Sequence, residues 1–174
     1  KEMLRWFAHR DAMDIEGLGD KLIERFLETG FLTDLPSIYR LKDRRDELVV
    51  LDRLGAQSVD NLLAAIDATR TRPLDRFLFA LGIRYVGERG AKDLARAFRN
   101  LESLRRADYT KLIEVPDVGP RTASEIEEFF EEEDNQRLID QLLEAGVAPT
   151  EPEGPVSDLF AGQTVVFTGK LERF

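Results

Sequence analysis

Apolar residues and glycines fall along this chain in one skeleton that occurs four times. It runs apolar, two residues, apolar, Gly, three residues, apolar, two residues, apolar. Ile15, Leu18, Gly19, Ile23 and Phe26 make the first copy, and Leu51, Leu54, Gly55, Val59 and Leu62 the second. Ile83, Val86, Gly87, Ala91 and Leu94 make the third, and Val115, Val118, Gly119, Ala123 and Ile126 the fourth. Repetition in fixed register points to a recurring structural unit. The apolar residues after each Gly recur at i, i+4 and i+7, which is one face of a helix. Each Gly then marks a tight corner between two helices. Pro120, directly after Gly119, suits the first helical position, where no N–H is needed. The unit predicted is helix–hairpin–helix.

Between the corners the pattern predicts further helices. One covers residues 1–10, with Leu4, Trp6 and Phe7 facing inward. Gly30 ends the helix after the first corner, and Asp34 and Asp46 cap short helices before the second. Pro73 opens a helix whose apolar face is Leu74, Phe77, Leu78 and Leu81. Asn100 and Asp108 cap short helices before the fourth corner, echoing those before the second. Asn135 caps a last helix through Leu138, Ile139, Leu142 and Leu143, ended by Gly146. A pair of hairpins is thus used twice. Residues 1–146 are predicted to form one compact all-α domain of four hairpins in two pseudo-repeated pairs, because one hairpin alone buries too little apolar surface.

The pattern then changes. Residues 147–158 carry Pro149, Pro152 and Pro155 with Glu151 and Glu153, and read as an extended linker. Thr164-Val165-Val166-Phe167 is β-prone and precedes Thr168-Gly169. Residues 159–174 therefore read as the truncated start of a second domain.

The net charge is −9, which is awkward for binding an anion, but it is unevenly placed. Residues 70–106 hold ten Lys or Arg (among them Arg84, Arg89 and Lys92) against four acids, whereas residues 125–134 hold seven acids and no base. Local field outweighs the total. A corner feeding a helix N-terminus also offers free N–H groups and a partial positive charge, which is an anion site without any side chain. The acidic run reads as a solvated helix face.

Little else carries chemistry. There is no cysteine and one histidine, His9, which has no Cys or second His with which to share a metal and no recognisable nucleophile motif to activate. No Gly-rich phosphate loop or metal-ligand cluster is visible, and Glu125, Glu127, Glu128, Glu131, Glu132 and Glu133 have nothing to fix them as paired catalytic carboxylates. No apolar run reaches the roughly 18 residues of a membrane span.

The hairpin unit resembles the helix–hairpin–helix motif, a sequence-independent DNA-binding element of the form apolar-x-Gly-apolar-Gly. Ile15-Glu16-Gly17-Leu18-Gly19 keeps both glycines, while Arg53, Tyr85 and Asp117 replace the earlier one elsewhere. That substitution leaves two expectations for those hairpins, distortion or a packing role. The order of parts resembles the C-terminal half of bacterial NAD-dependent DNA ligase. The matching stretches are residues 7–19, Phe77-Leu78-Phe79-Ala80-Leu81-Gly82-Ile83-Arg84-Tyr85-Val86-Gly87-Glu88, Glu114-Val115-Pro116-Asp117-Val118-Gly119-Pro120, and residues 159–169, which resemble the opening strand of that family's BRCT domain. The resemblance implies that residues 159–174 begin a BRCT-like α/β domain.

The resemblance implies a non-catalytic fragment of a cytoplasmic, nucleoid-associated enzyme that seals nicks in replication and repair. The parent would use NAD, magnesium and a structural four-cysteine zinc site, none of them held in this fragment. The implied partner is nicked double-stranded DNA, with contacts to the ligase's other domains and none to a membrane. The implied binding residues are Gly17, Gly19, Gly55, Gly87 and Gly119 through their backbones, with Lys21, Arg53, Arg84, Arg89, Lys92 and Arg121 adding charge. A protein-interaction module, or the DNA-binding part of another repair protein with paired hairpins, is the alternative.

Overall fold

The computed structural model describes residues 2–51 and 54–152. Arg53 and the β-prone stretch at 164–167 lie outside the described residues. Among the described residues the fold is helical, with no strand longer than an isolated bridge. The helices are α1 (Glu2–Ala8), α2 (Asp20–Thr29), α3 (Leu35–Ile38), α4 (Arg45–Val49), α5 (Ala56–Ala68), α6 (Leu74–Leu81), α7 (Glu88–Phe98), α8 (Leu101–Arg105), α9 (Tyr109–Leu112), α10 (Pro120–Glu131) and α11 (Glu133–Glu144).

Short polar side chains start the helices that lie away from the corners. Asp34 accepts from the Ser37 N–H and Ser37 returns the bond, a closed capping box on α3. Asn100 accepts from Ser103 N at α8, and Asp108 from Lys111 N at α9. Two expected caps are absent. Asp46 lies in the first turn of α4, which starts after Arg44 without a side-chain cap. Asn135 lies inside α11, and its amide donates to the Phe129 carbonyl at the end of α10. The chain turns there at Glu132, in extended conformation, and Asn135 satisfies a carbonyl that the end of α10 leaves open.

One apolar cluster runs through both halves. Phe7, Phe26, Tyr39 and Phe77 are its largest fully buried members. Polar ties cross it at named points. Trp6 Nε1 donates to the Phe79 carbonyl at 2.9 Å, and its ring meets Phe79 edge-on. Arg72 donates to the carbonyls of Met13 and Asp14 at 2.9 and 3.0 Å. The Tyr39 hydroxyl pairs with Thr69 Oγ1 at 2.9 Å, and burial pushes its phenol upward. Arg70 lies over the Tyr39 ring and donates to the carbonyls of Tyr39 and Ala145.

The first residues after α11 are docked on the helical body. Val147 is buried, Ala148 N donates to Arg70 O, and Thr150 bridges Arg72 and Leu74. The last helix is thereby tied back to the α5–α6 junction.

Candidate nucleic-acid interface

The first, third and fourth corners are built the same way. The apolar pair buries and the residues between it do not: Ile15 and Leu18, Ile83 and Val86, and Val115 and Val118 are buried, while Glu16, Gly17, Arg84, Tyr85, Pro116 and Asp117 are exposed. A turn closes each pair, with Leu18 N bonding Ile15 O, Leu54 N bonding Leu51 O, Val86 N bonding Ile83 O and Val118 N bonding Val115 O, all at 3.0–3.2 Å. In a turn of this kind the third residue has positive φ, which Gly adopts without strain. Gly17 has φ +90°, and Tyr85 and Asp117 adopt +70° and +68°. The third and fourth hairpins, which lack the earlier Gly, therefore keep the turn of the first. Tertiary packing of the flanking apolar pair holds Asp117, a residue that tolerates this region, and Tyr85, a bulky one that does not, in the same turn.

The second glycine of each corner is the helix N-cap. Gly19, Gly55, Gly87 and Gly119 precede α2, α5, α7 and α10 with φ between −88° and −119°, a region open to any residue. A Cβ built on any of the four would meet nothing within 4 Å. The fold itself therefore does not require glycine there. Asp, Asn or Ser would cap better, as they do at α3, α8 and α9. Instead these four helix starts are exposed and carry no side-chain cap, and the amides of the four glycines have no acceptor among the described residues. Absent side chains leave room for something outside the protein to approach the backbone.

Individual contacts link the first corner to the helix after the second, and the third corner to the fourth. A Cβ at Gly17 would lie 3.8 Å from the Leu62 side chain of α5, so the first hairpin's turn faces the helix after the second. In the other pair Arg121, at the start of α10, lies over the Tyr85 ring of the third turn at 5.7 Å. Reciprocally, Arg89 of α7 bonds the Asp117 carboxylate of the fourth turn at 3.0 Å. Burial, with the Asp117 carboxyl next, pushes Asp93 upward, against the pull of Arg89 and Arg96.

The implied basic residues are distributed as follows. Lys21 is exposed on the first turn of α2, and Arg121 on that of α10. Arg84 is largely exposed, lies over its neighbour Tyr85 and comes within 3.9 Å of Glu125. Arg89 is 87% exposed though paired with Asp117. Lys92, one turn further along α7, pairs with Glu88 at 3.6 Å. The structure thus groups Arg84, Arg89 and Arg121 around one hairpin pair and leaves Lys21 with the other. That Asp117 and Glu125 stand beside these cations is not legible in the sequence, because nothing local links residues so far apart. In the sequence Tyr85 stands out only as a missing glycine. His9 accepts from the Asp11 amide and stacks on Trp6, a structural role.

Residues 76–139, which hold the third and fourth corners, match the family model of the helix-hairpin-helix motif. The chain is 46% identical over 174 residues to a DNA ligase of Geobacter sulfurreducens, covering 100% of this chain and 26% of that protein. A DNA ligase of Symbiobacterium thermophilum is 46% identical over 170 residues (97% of this chain, 25% of the relative). One of Acinetobacter baylyi is 43% identical over 171 residues (98% and 25%). The chain spans about a quarter of the length of the curated relatives it matches. With the hairpin corners and the end-to-end match together, the chain fits a C-terminal segment of bacterial DNA ligase.

Proposed function

We propose that this chain is the part of an NAD-dependent DNA ligase that grips nicked double-stranded DNA, and that it does so through main-chain amides. The observation that carries the reading is the set of four exposed, uncapped helix starts whose glycines no internal contact requires. Phosphate oxygens approach these amides, and Lys21, Arg84, Arg89, Lys92 and Arg121 add charge around them. Hydrogen bonds to a charged group are worth about 1.5–3 kcal/mol each. Four motifs arranged as two pairs reach phosphates across a minor groove. Contacts of this kind fix the position of a duplex and carry no sequence information. Sealing the nick belongs to the rest of the parent enzyme. The chain has no cysteine, so the four-cysteine zinc site of such a ligase has no ligands in it.

The test is a titration of the 174-residue chain with labelled duplexes of unrelated sequence at increasing salt. Affinity is expected to be equal across sequences and to fall with a log–log slope of about 0.9 per phosphate neutralised. No binding at low salt, or binding to one sequence only, would overturn the reading. Capture of a protein partner with no retention of DNA would favour an interaction module instead.

A further inference from the structure

Tyr85 is the residue the fold explains least. It occupies the third position of a turn where the first hairpin has Gly17 and the fourth has Asp117, and it holds φ +70° with a bulky side chain. Strain of this kind persists where the surroundings impose it and is concentrated at functional positions. Here the ring repays nothing to the core: the side chain stands outside the apolar cluster and the residue is 47% exposed. The two side chains that flank it are guanidinium groups, Arg84 at 5.0 Å and Arg121 at 5.7 Å from the ring. One comes from its own hairpin and the other from the helix after the fourth. The result is an exposed aromatic face between two cations, at the tip of a hairpin whose amides are open.

We propose that Tyr85 is itself a DNA contact, its ring packing on the deoxyribose and base edges between two phosphates held by Arg84 and Arg121. This rests on the duplex-binding reading above and adds an apolar component that amides and charges do not supply. Aromatic rings are the usual platform for the apolar faces of nucleotides, and such contacts tolerate any sequence. The two guanidiniums are placed for the negative oxygens on either side of a sugar. Gly17 and Asp117 present no comparable surface, so the component is specific to the third hairpin.

The test compares wild type with Tyr85→Gly and Tyr85→Phe, measuring fluorescence anisotropy of a labelled nicked duplex across a salt series together with thermal unfolding. Gly fits φ +70° without strain, so Tyr85→Gly is expected to fold at least as stably as wild type. Its duplex affinity is expected to fall about fivefold or more with an unchanged salt slope, because no charge is removed. Tyr85→Phe keeps the ring and is expected to bind within about twofold of wild type. A folded Tyr85→Gly that binds as tightly as wild type would overturn the proposal. So would a loss of affinity accompanied by a flatter salt slope, which would mean that the ring acts only by holding the two arginines. Wild-type protein that fails to bind at all would overturn the duplex-binding reading itself, and with it the role of the ring.

Discussion

Replacing Gly87 and Gly119 together by Asp is expected to weaken duplex binding by about 100-fold or more while leaving the fold as stable as before, or more so. The two effects have opposite signs for one physical reason. Both glycines are helix N-caps in ordinary extended conformation with open space beyond them, so an aspartate side chain enters without a clash. Asp caps the exposed amides of the first turn and complements the helix dipole, a gain of a few tenths to about 1 kcal/mol per site. Those are the amides a phosphate would take. Losing two charge-assisted contacts removes about 3–6 kcal/mol, and the new carboxylates repel the backbone besides. Anisotropy titration and calorimetry on the same preparation check both halves. A variant that is more stable and binds DNA unchanged would show that these corners do not touch it.

Phe77→Ala is expected to have the largest effect on stability. Phe77 is 0% exposed on α6, the helix that lies along α7 and against α1, and therefore joins the third hairpin to the start of the chain. Removing a buried phenylalanine ring leaves a cavity and costs about 3–5 kcal/mol, a large part of the 5–15 kcal/mol usual for a whole domain. At about 2–4 °C per kcal/mol for a chain of this size, the unfolding midpoint should drop by roughly 6–20 °C. Circular dichroism melts measure it. Below the new midpoint the salt slope of DNA binding should match wild type, since no corner has changed. A midpoint shifted by less than a few degrees would mean that the core relaxes around the site.

Local chemistry made much of the fold readable. The four corners were visible because an apolar pair, the glycine after it and the apolar helix face beyond leave a spacing that recurs. The caps Asp34, Asn100 and Asp108, and the left-handed Gly30 after α2, were visible because each needs only its own neighbours. Asn135 was misread because the carbonyl it satisfies lies behind it, at the end of α10, and not ahead of it in a new helix. The turns at Tyr85 and Asp117 looked doubtful because local preference disfavours positive φ there. The packing of Ile83 with Val86 and of Val115 with Val118 overrides that preference.

The site was less legible than the fold. The glycines and the nearby cations were named from their place in the repeat. The carboxylates that hold those cations were not, because Arg89 with Asp117 and Arg84 with Glu125 meet only when the third and fourth hairpins come together. These exposed pairs are worth little to stability. Their importance is that a phosphate must compete with them for the same guanidinium groups, so fewer cations are free than the sequence suggests. That places more of the expected grip on the backbone amides, which no carboxylate among the described residues occupies.

The central claim is that those amides meet DNA. Amide chemical shifts of the isotope-labelled chain, followed as a duplex is added, test it most directly. The account expects the largest movements at the amides of Gly19, Asp20 and Lys21, of Gly87, Glu88 and Arg89, and of Gly119 and Arg121. If those signals stay fixed while others move, on the acidic face of α10 and α11 for example, the corners are not the interface.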